Sequence, residues 1–366
     1  MISRARRHAL TRRQLGRMAF GAAIASALPA QPRKALPIRG TYSSPSSFWK
    51  AGLRLDDHGV NAVFVHGGSI TGELIARAAR EGAAVYAEFA TLNGKGYAEQ
   101  HPEAWPAAAS GQRAPAATWF LGACPTEPGF RAYRRNQLET LLARYAVAGV
   151  WLDYFHWHAQ FEEPEPILPE TCFCPNCLAA FSQSSGVRIP DGSAAARAAW
   201  ILKEQEDAWR DWRAGVLVEW AREMRAIVRR KRPEALLGVY HCPWTDSEFD
   251  GARRRILGLD FDRLAPEVDV FSPMVYHGRM GRRPAWVGET VEWLSDRLPA
   301  SSRIWPIVQA HGSPEAISAE AFEAVMHGGA SGRASGLQMF TLGAVAEDPK
   351  KLEVLRRLYR EWQPAG

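Results

Sequence analysis

The 366-residue chain has no uninterrupted apolar run of the roughly 20 residues that a helix needs to cross a bilayer, so no permanent membrane anchor is expected. It has no self-similarity at spacings of roughly 20 to 50 residues, which excludes solenoids and propellers. With 46% hydrophobic and 23% charged residues, it lacks the excess of charge over apolar surface that keeps a chain unfolded. Acidic residues are missing altogether from the first 30 positions, which hold Arg4, Arg6, Arg7, Arg12, Arg13 and Arg17. The net charge is +6, so removing those six arginines leaves zero. A neutral remainder has no long-range electrostatic reason to seek phosphate backbones or anionic lipid, and nucleic acid is excluded as a partner. What the chain does hold is 14 Trp and 24 Pro, neither of which suits a coiled coil.

The basic N-terminus reads as an export signal. Thr11-Arg12-Arg13-Gln14-Leu15-Gly16-Arg17 resembles the twin-arginine pattern, followed by apolar residues 18–28 and small residues up to Ala30. The expectation is a leader over residues 1–30, cleavage near Ala30, the twin-arginine machinery as a partner during export, and a periplasmic or secreted mature protein. A basic amphipathic first helix is the alternative. The resemblance further implies a protein exported folded, with any metal already loaded.

From residue 31 onward, β-rich runs alternate with helical patterns. Strands are expected over residues 38–42, 62–66, 84–89, 149–154, 236–241, 268–276, 304–309 and 336–341. Helices are expected over 48–58, 71–81, 128–145, 194–231, 253–264, 286–298, 318–328 and 350–362. Such alternation implies parallel strands joined by crossovers, and eight units make an α/β (β/α)8 TIM barrel over residues 31–366. An open doubly wound sheet would carry a glycine-rich phosphate turn after its first strand, where this chain has Thr41-Tyr42-Ser43-Ser44-Pro45. Two long insertions without helical period follow strands 3 and 4, residues 91–125 and 156–190, on the face where barrel enzymes assemble their sites.

Four of the five cysteines form a set: Cys172-Phe173-Cys174-Pro175-Asn176-Cys177, with Cys124 upstream in Cys124-Pro125-Thr126-Glu127-Pro128. Thiolates at such short spacings can wrap one tetrahedral Zn2+; in an exported protein, disulfides compete with that reading. The cysteine pattern, with Phe130-Arg131 and Phe181 at its flanks, resembles the zinc cluster of family 42 β-galactosidases, which are barrel enzymes. Gly149-Val150-Trp151-Leu152-Asp153-Tyr154 and Phe271-Ser272-Pro273-Met274-Val275-Tyr276 look like the fourth and sixth strands of bacterial glycoside-hydrolase-like barrels. The resemblance implies structural zinc on Cys124, Cys172, Cys174 and Cys177. It does not transfer the galactosidase's two catalytic glutamates, because this chain has Asp153-Tyr154 at the first place and Gln309 near the second.

Glycosidic hydrolysis usually uses two carboxylates. Asp153, closing an apolar strand, is the first candidate, as nucleophile or charge stabiliser; a structural cap is its alternative role. Asp246 is favoured as general acid/base, with Glu88 and Glu248 behind it. His156, Trp157 and His158, His241 and Trp244, Tyr276 and His277, and Gln309 and His311 follow four successive strands and suit carbohydrate binding. His156 and His158 as metal ligands are a weaker alternative, and Asp56-Asp57-His58 only superficially suits a metal-dependent esterase. The expectation is an exported glycoside hydrolase acting on a poly- or oligosaccharide, without an organic cofactor; the alternative is a barrel that binds glycans without cleaving them.

Overall fold

The computed structural model describes residues 34–116, 120–312 and 314–364; the expected leader over 1–30 lies outside them. The strands are β1 (Ile38–Tyr42), β2 (Ala62–His66), β3 (Ala84–Ala90), β4 (Gly149–Asp153), β5 (Leu236–His241), β6 (Val270–Val275), β7 in two segments (Arg303–Ile304 and Ile307–Gln309), and β8 (Gly336–Phe340). All pair in parallel, and the β5–β6 pairing closes the sheet into a barrel. This is the expected (β/α)8 architecture. Strand β7 is split because Pro306 has no N–H to give the ladder; its carbonyl still accepts from Gln338 at 2.8 Å. The terminal helix Pro349–Glu361 packs over β1, where the Tyr359 hydroxyl donates to the Gly40 carbonyl at 2.6 Å.

Some expected helices break. The 48–58 pattern resolves into Ser46–Lys50 and a 3-10 turn at Asp56–His58, because Gly52 between them sits at φ +75°. The 194–231 pattern is two helices, Ala194–Glu204 and Glu206–Lys231. Both insertions contain helices that the period did not reveal, Lys95–Gln100 and Pro175–Ser185.

Period-two alternation puts Phe64, Tyr86, Trp151 and Trp305 inside the barrel, where Trp151 and Trp305 stack at 5.3 Å. Two indoles fit because neighbouring inward positions are glycine. A Cβ on Gly238 would lie 2.2 Å from Trp151 Cε2, and one on Gly336 would lie 2.8 Å from the Trp305 ring. Gly238→Ala is therefore expected to destabilise by at least about 1–3 kcal/mol through overpacking, read as a lower denaturant midpoint at unchanged slope. An unchanged midpoint would show that the indole layer is loosely packed.

Candidate active site at the C-terminal mouth of the barrel

The same alternation that buries Tyr86 and Trp151 turns Glu88 and Asp153, two residues further on, toward the mouth. Glu88 is in register with His66 on β2, and Asp153 with Ala90 on β3. The two carboxylates are thus diagonal neighbours on adjacent strands. Asp153 is 5% exposed and Glu88 1% exposed. Tyr154 turns at φ +51°, a left-handed conformation that costs about 1–2 kcal/mol, and its N–H donates to Asp153 Oδ1 at 2.8 Å. The Tyr42 hydroxyl donates to Asp153 Oδ2 at 3.4 Å.

Burial pushes the Asp153 carboxyl up to about 7, with the charge of Glu162 adding to the rise and the Tyr154 N–H opposing it. Burial also lifts the Glu88 carboxyl, and Asp153 beside it lifts it further, against the pull of Arg134. Glu162 comes from the insertion after β4. Its carboxyl is raised by burial, against the pull of Arg279, whose Nη1 lies 2.7 Å from Glu162 Oε2. Gln309 Oε1 accepts the Arg279 N–H at 3.1 Å, which ties the end of β7 to the loop after β6. Tyr276 is buried against Phe340, ring centres 5.3 Å apart, and faces the charges of Glu162 and Asp153. His311 meets the same Phe340 ring edge-on at 4.8 Å. His156 lines a small crevice with Phe120, Tyr154 and Glu162. The mouth therefore gathers three carboxyl groups in unlike surroundings, phenols and one guanidinium, carried by separate loops.

Other expected site residues are placed elsewhere. Asp246 is exposed and ion-paired with Arg253 and Arg297 in a mixed-charge patch that includes Asp262, so it does not join Asp153. Glu248 pairs with Arg282 at 2.8 Å. His241 follows inward-facing Tyr240 and so points out of the barrel, against Phe261 and Phe271, where burial pulls its pKa down to about 3. Trp157 is core: its Nε1 donates to the Arg213 carbonyl at 3.1 Å, and Gly258 lies against its ring. His158 is a loop clamp, with Nδ1 accepting the Gly122 N–H at 3.0 Å and Nε2 2.8 Å from the Pro115 carbonyl. Trp244, 1% exposed against Phe249 and Phe161, offers no face to a sugar. His277 is buried as well.

Glu162, Arg279 and Tyr42 were not expected here. Glu162 sits in Glu162-Glu163-Pro164-Glu165, which reads as a solvated acidic run, and Arg279 in an equally polar stretch. Only Tyr42 has a usable signal, since it closes the first strand just as Asp153 closes the fourth.

The four cysteines do come together. All are buried, and their sulfurs lie within 4.8 Å of one another, with Cys124 Sγ 3.5 Å from both Cys174 Sγ and Cys177 Sγ. None is bonded to another. The sequence explains the shape locally: Cys174 caps the helix Pro175–Ser185, Pro175 takes its first position, and the Cys177 N–H points back at Cys174 Sγ, 3.4 Å away. Glu127 caps the helix Pro128–Arg144 beside Cys124. A tetrahedral Zn2+ with bonds of about 2.3 Å spaces its sulfurs about 3.8 Å apart, so the donor set fits such an ion. The fully buried Arg213 guanidinium, which donates to the Arg255 and Ile256 carbonyls, faces the charges of Cys177 and Cys172 and suits the net negative charge of four thiolates on a divalent ion.

No protein-family model and no curated protein matches the sequence. Solved structures do match the fold. The glycoside hydrolase domain of PgaB (BpsB) from Bordetella bronchiseptica aligns with a TM-score of 0.64 at 15% identity, over 87% of this chain and 98% of that one. A β-galactosidase from Bacillus circulans sp. alkalophilus aligns at 0.63 and 13% identity, over 90% of this chain and 56% of its own. The α-L-fucosidase isoenzyme 2 from Paenibacillus thiaminolyticus aligns at 0.56 and 12% identity, over 88% of this chain and 49% of its own. This chain thus spans about half the length of the galactosidase and fucosidase, and shares with all three a glycosidase-like TIM barrel.

Proposed function

We propose that the protein is a glycoside hydrolase acting on a poly- or oligosaccharide, with Asp153 as general acid and Glu162, held by Arg279, as the second carboxylate. One observation carries the reading: an inward aspartate at the end of β4, with its carboxyl raised to about 7, faces another carboxyl that a guanidinium favours as the anion. Burial raises both carboxyls, but only Glu162 has a guanidinium against it, and that difference in partner suits Asp153 to the acid role and Glu162 to the charge-stabilising one. Asp153 gives its proton to the leaving oxygen as the glycosidic bond breaks; Glu162 offsets the positive charge that grows on the anomeric carbon. The half-buried rings of Tyr154 and Phe340 supply faces for a sugar, and His311 a polar edge. The glycoside hydrolases among the fold's neighbours support the substrate class.

Purified protein lacking residues 1–30 is expected to release reducing ends from at least one member of a panel of soluble glycans. Its rate is expected to fall as pH rises through about 7, because the acid then loses its proton. Glycan binding with no cleavage anywhere in the panel would favour the non-cleaving reading instead.

The cysteine cluster is assigned to one structural Zn2+ held by Cys124, Cys172, Cys174 and Cys177. Residues 1–30 are assigned to twin-arginine export, on the sequence pattern. Replacing Arg12 and Arg13 with lysine should trap the protein in the cytoplasm; normal periplasmic yield would point to a general secretory route.

A further inference from the structure

We propose that His66, Glu88 and Tyr42 form a proton path that reloads Asp153 from solvent after each turnover. The inference rests on the reading of Asp153 as the acid. Asp153 is 5% exposed, so direct exchange with bulk water is restricted. His66, its register partner Glu88 and Tyr42 lead outward from it. The Tyr42 hydroxyl, bonded to Asp153 Oδ2 at 3.4 Å, also faces the Glu88 carboxyl. Glu88 Oε1 is buried with no hydrogen-bond partner. On its other side, Glu88 Oε2 lies 3.9 Å from Nε2 of His66, whose side chain is 62% exposed. Nδ1 of His66 accepts the Gly68 N–H at 3.2 Å, so the imidazole gives up that bond when it takes a second proton and turns to bring Nε2 to hydrogen-bond distance of Glu88.

Among the described residues, no cation is hydrogen-bonded to Glu88, although Arg134, whose buried Nε has no partner, attracts its charge. Arg134, on the helix Pro128–Arg144, faces both Glu88 and His66, but its Nη donors go to the Asn93 carbonyl and the Gln137 side chain. From the barrel wall, Asp153 raises Glu88 further rather than stabilising its charge. A buried carboxyl without a cation bonded to it, between an open histidine and a candidate acid, is placed to carry a proton rather than to hold the fold.

The transfer balances without any redox change. Imidazolium Nε2–H breaks as a Glu88 O–H forms; the Glu88 proton passes to the Tyr42 oxygen as the Tyr42 proton passes to Asp153. His66 is recharged from water. The path serves a cycle in which the attacking water, as its oxygen bonds the anomeric carbon, gives its proton to Glu162 and thence to solvent rather than to Asp153, so the acid must be refilled separately.

Two measurements test it. In the substrate-free protein, the His66 titration followed by nitrogen-15 NMR is expected to move by at least about half a pH unit in Glu88→Gln. An unmoved midpoint overturns the path whether or not any glycan is cleaved. On a glycan cleaved by the wild type, His66→Ala in dilute non-imidazole buffer is expected to lose about tenfold in kcat with KM unchanged, and added imidazole should restore most of it. Wild-type turnover in that variant, or a loss that imidazole does not restore, overturns the path while leaving the hydrolase reading intact. Failure of the wild type on every glycan strikes that reading, and the NMR result then decides whether His66 and Glu88 are coupled.

Discussion

Asp153→Asn is expected to cut glycan hydrolysis by about 10²–10⁴-fold while sugar binding survives, because the amide keeps the shape and loses the transferable proton. The same change is expected to raise stability above neutral pH. The folded carboxyl titrates at about 7 against an ordinary 3.8, so the folded state binds the proton more tightly than the unfolded chain. The stability this contributes is complete below pH 3.8 and is lost as pH rises toward 7, where the wild type buries a charge that asparagine does not have. The difference is of the order of a few kcal/mol at pH 8 and vanishes near pH 4. Thermal unfolding at the two pH values measures it. If Asp153 is only a cap, turnover stays near wild type and stability falls by about 1 kcal/mol, so activity and stability move oppositely in the two cases.

Protein made with zinc and reductant is expected to carry one zinc per chain, and Cys174→Ser is expected to cost more than about 4 kcal/mol of stability with little change in turnover per folded molecule. The ion would join the loop at the start of Pro128–Arg144 to the loop entering Pro175–Ser185, two segments separated by all of β4. The second loop hangs from Cys172, whose sulfur faces the Ala107 N–H at 3.3 Å, so loosening the cluster frees both insertions. Elemental analysis and thermal unfolding, before and after chelation, measure both quantities. Metal-free protein that unfolds at the same temperature, with one free thiol in the non-reduced denatured chain, would mean two disulfides in place of the ion.

Strand positions, barrel class and the cysteine cluster were legible in the sequence for local reasons. Short β-branched and aromatic runs mark strands wherever they sit, and Cys174-Pro175-Asn176-Cys177 builds its own helix cap. Asp153 and Glu88 are legible as acids at the ends of apolar strands, and the period of two then puts them on the inward face of Trp151 and Tyr86. The same period sends His241 outward, because its neighbour Tyr240 faces inward. Composition near a strand end does not say whether a ring faces a cleft or another loop, and Trp157, His158 and Trp244 face loops. Glu162 and Arg279 belong to polar segments that mean nothing until the loops after β4 and β6 fold over one mouth. Asp246 joins Arg253 and Arg297 for a similar reason. The local pattern thus determined which residues reach the end of which strand; which loop side chains meet there is decided by closure of the barrel, which brings together groups far apart along the chain.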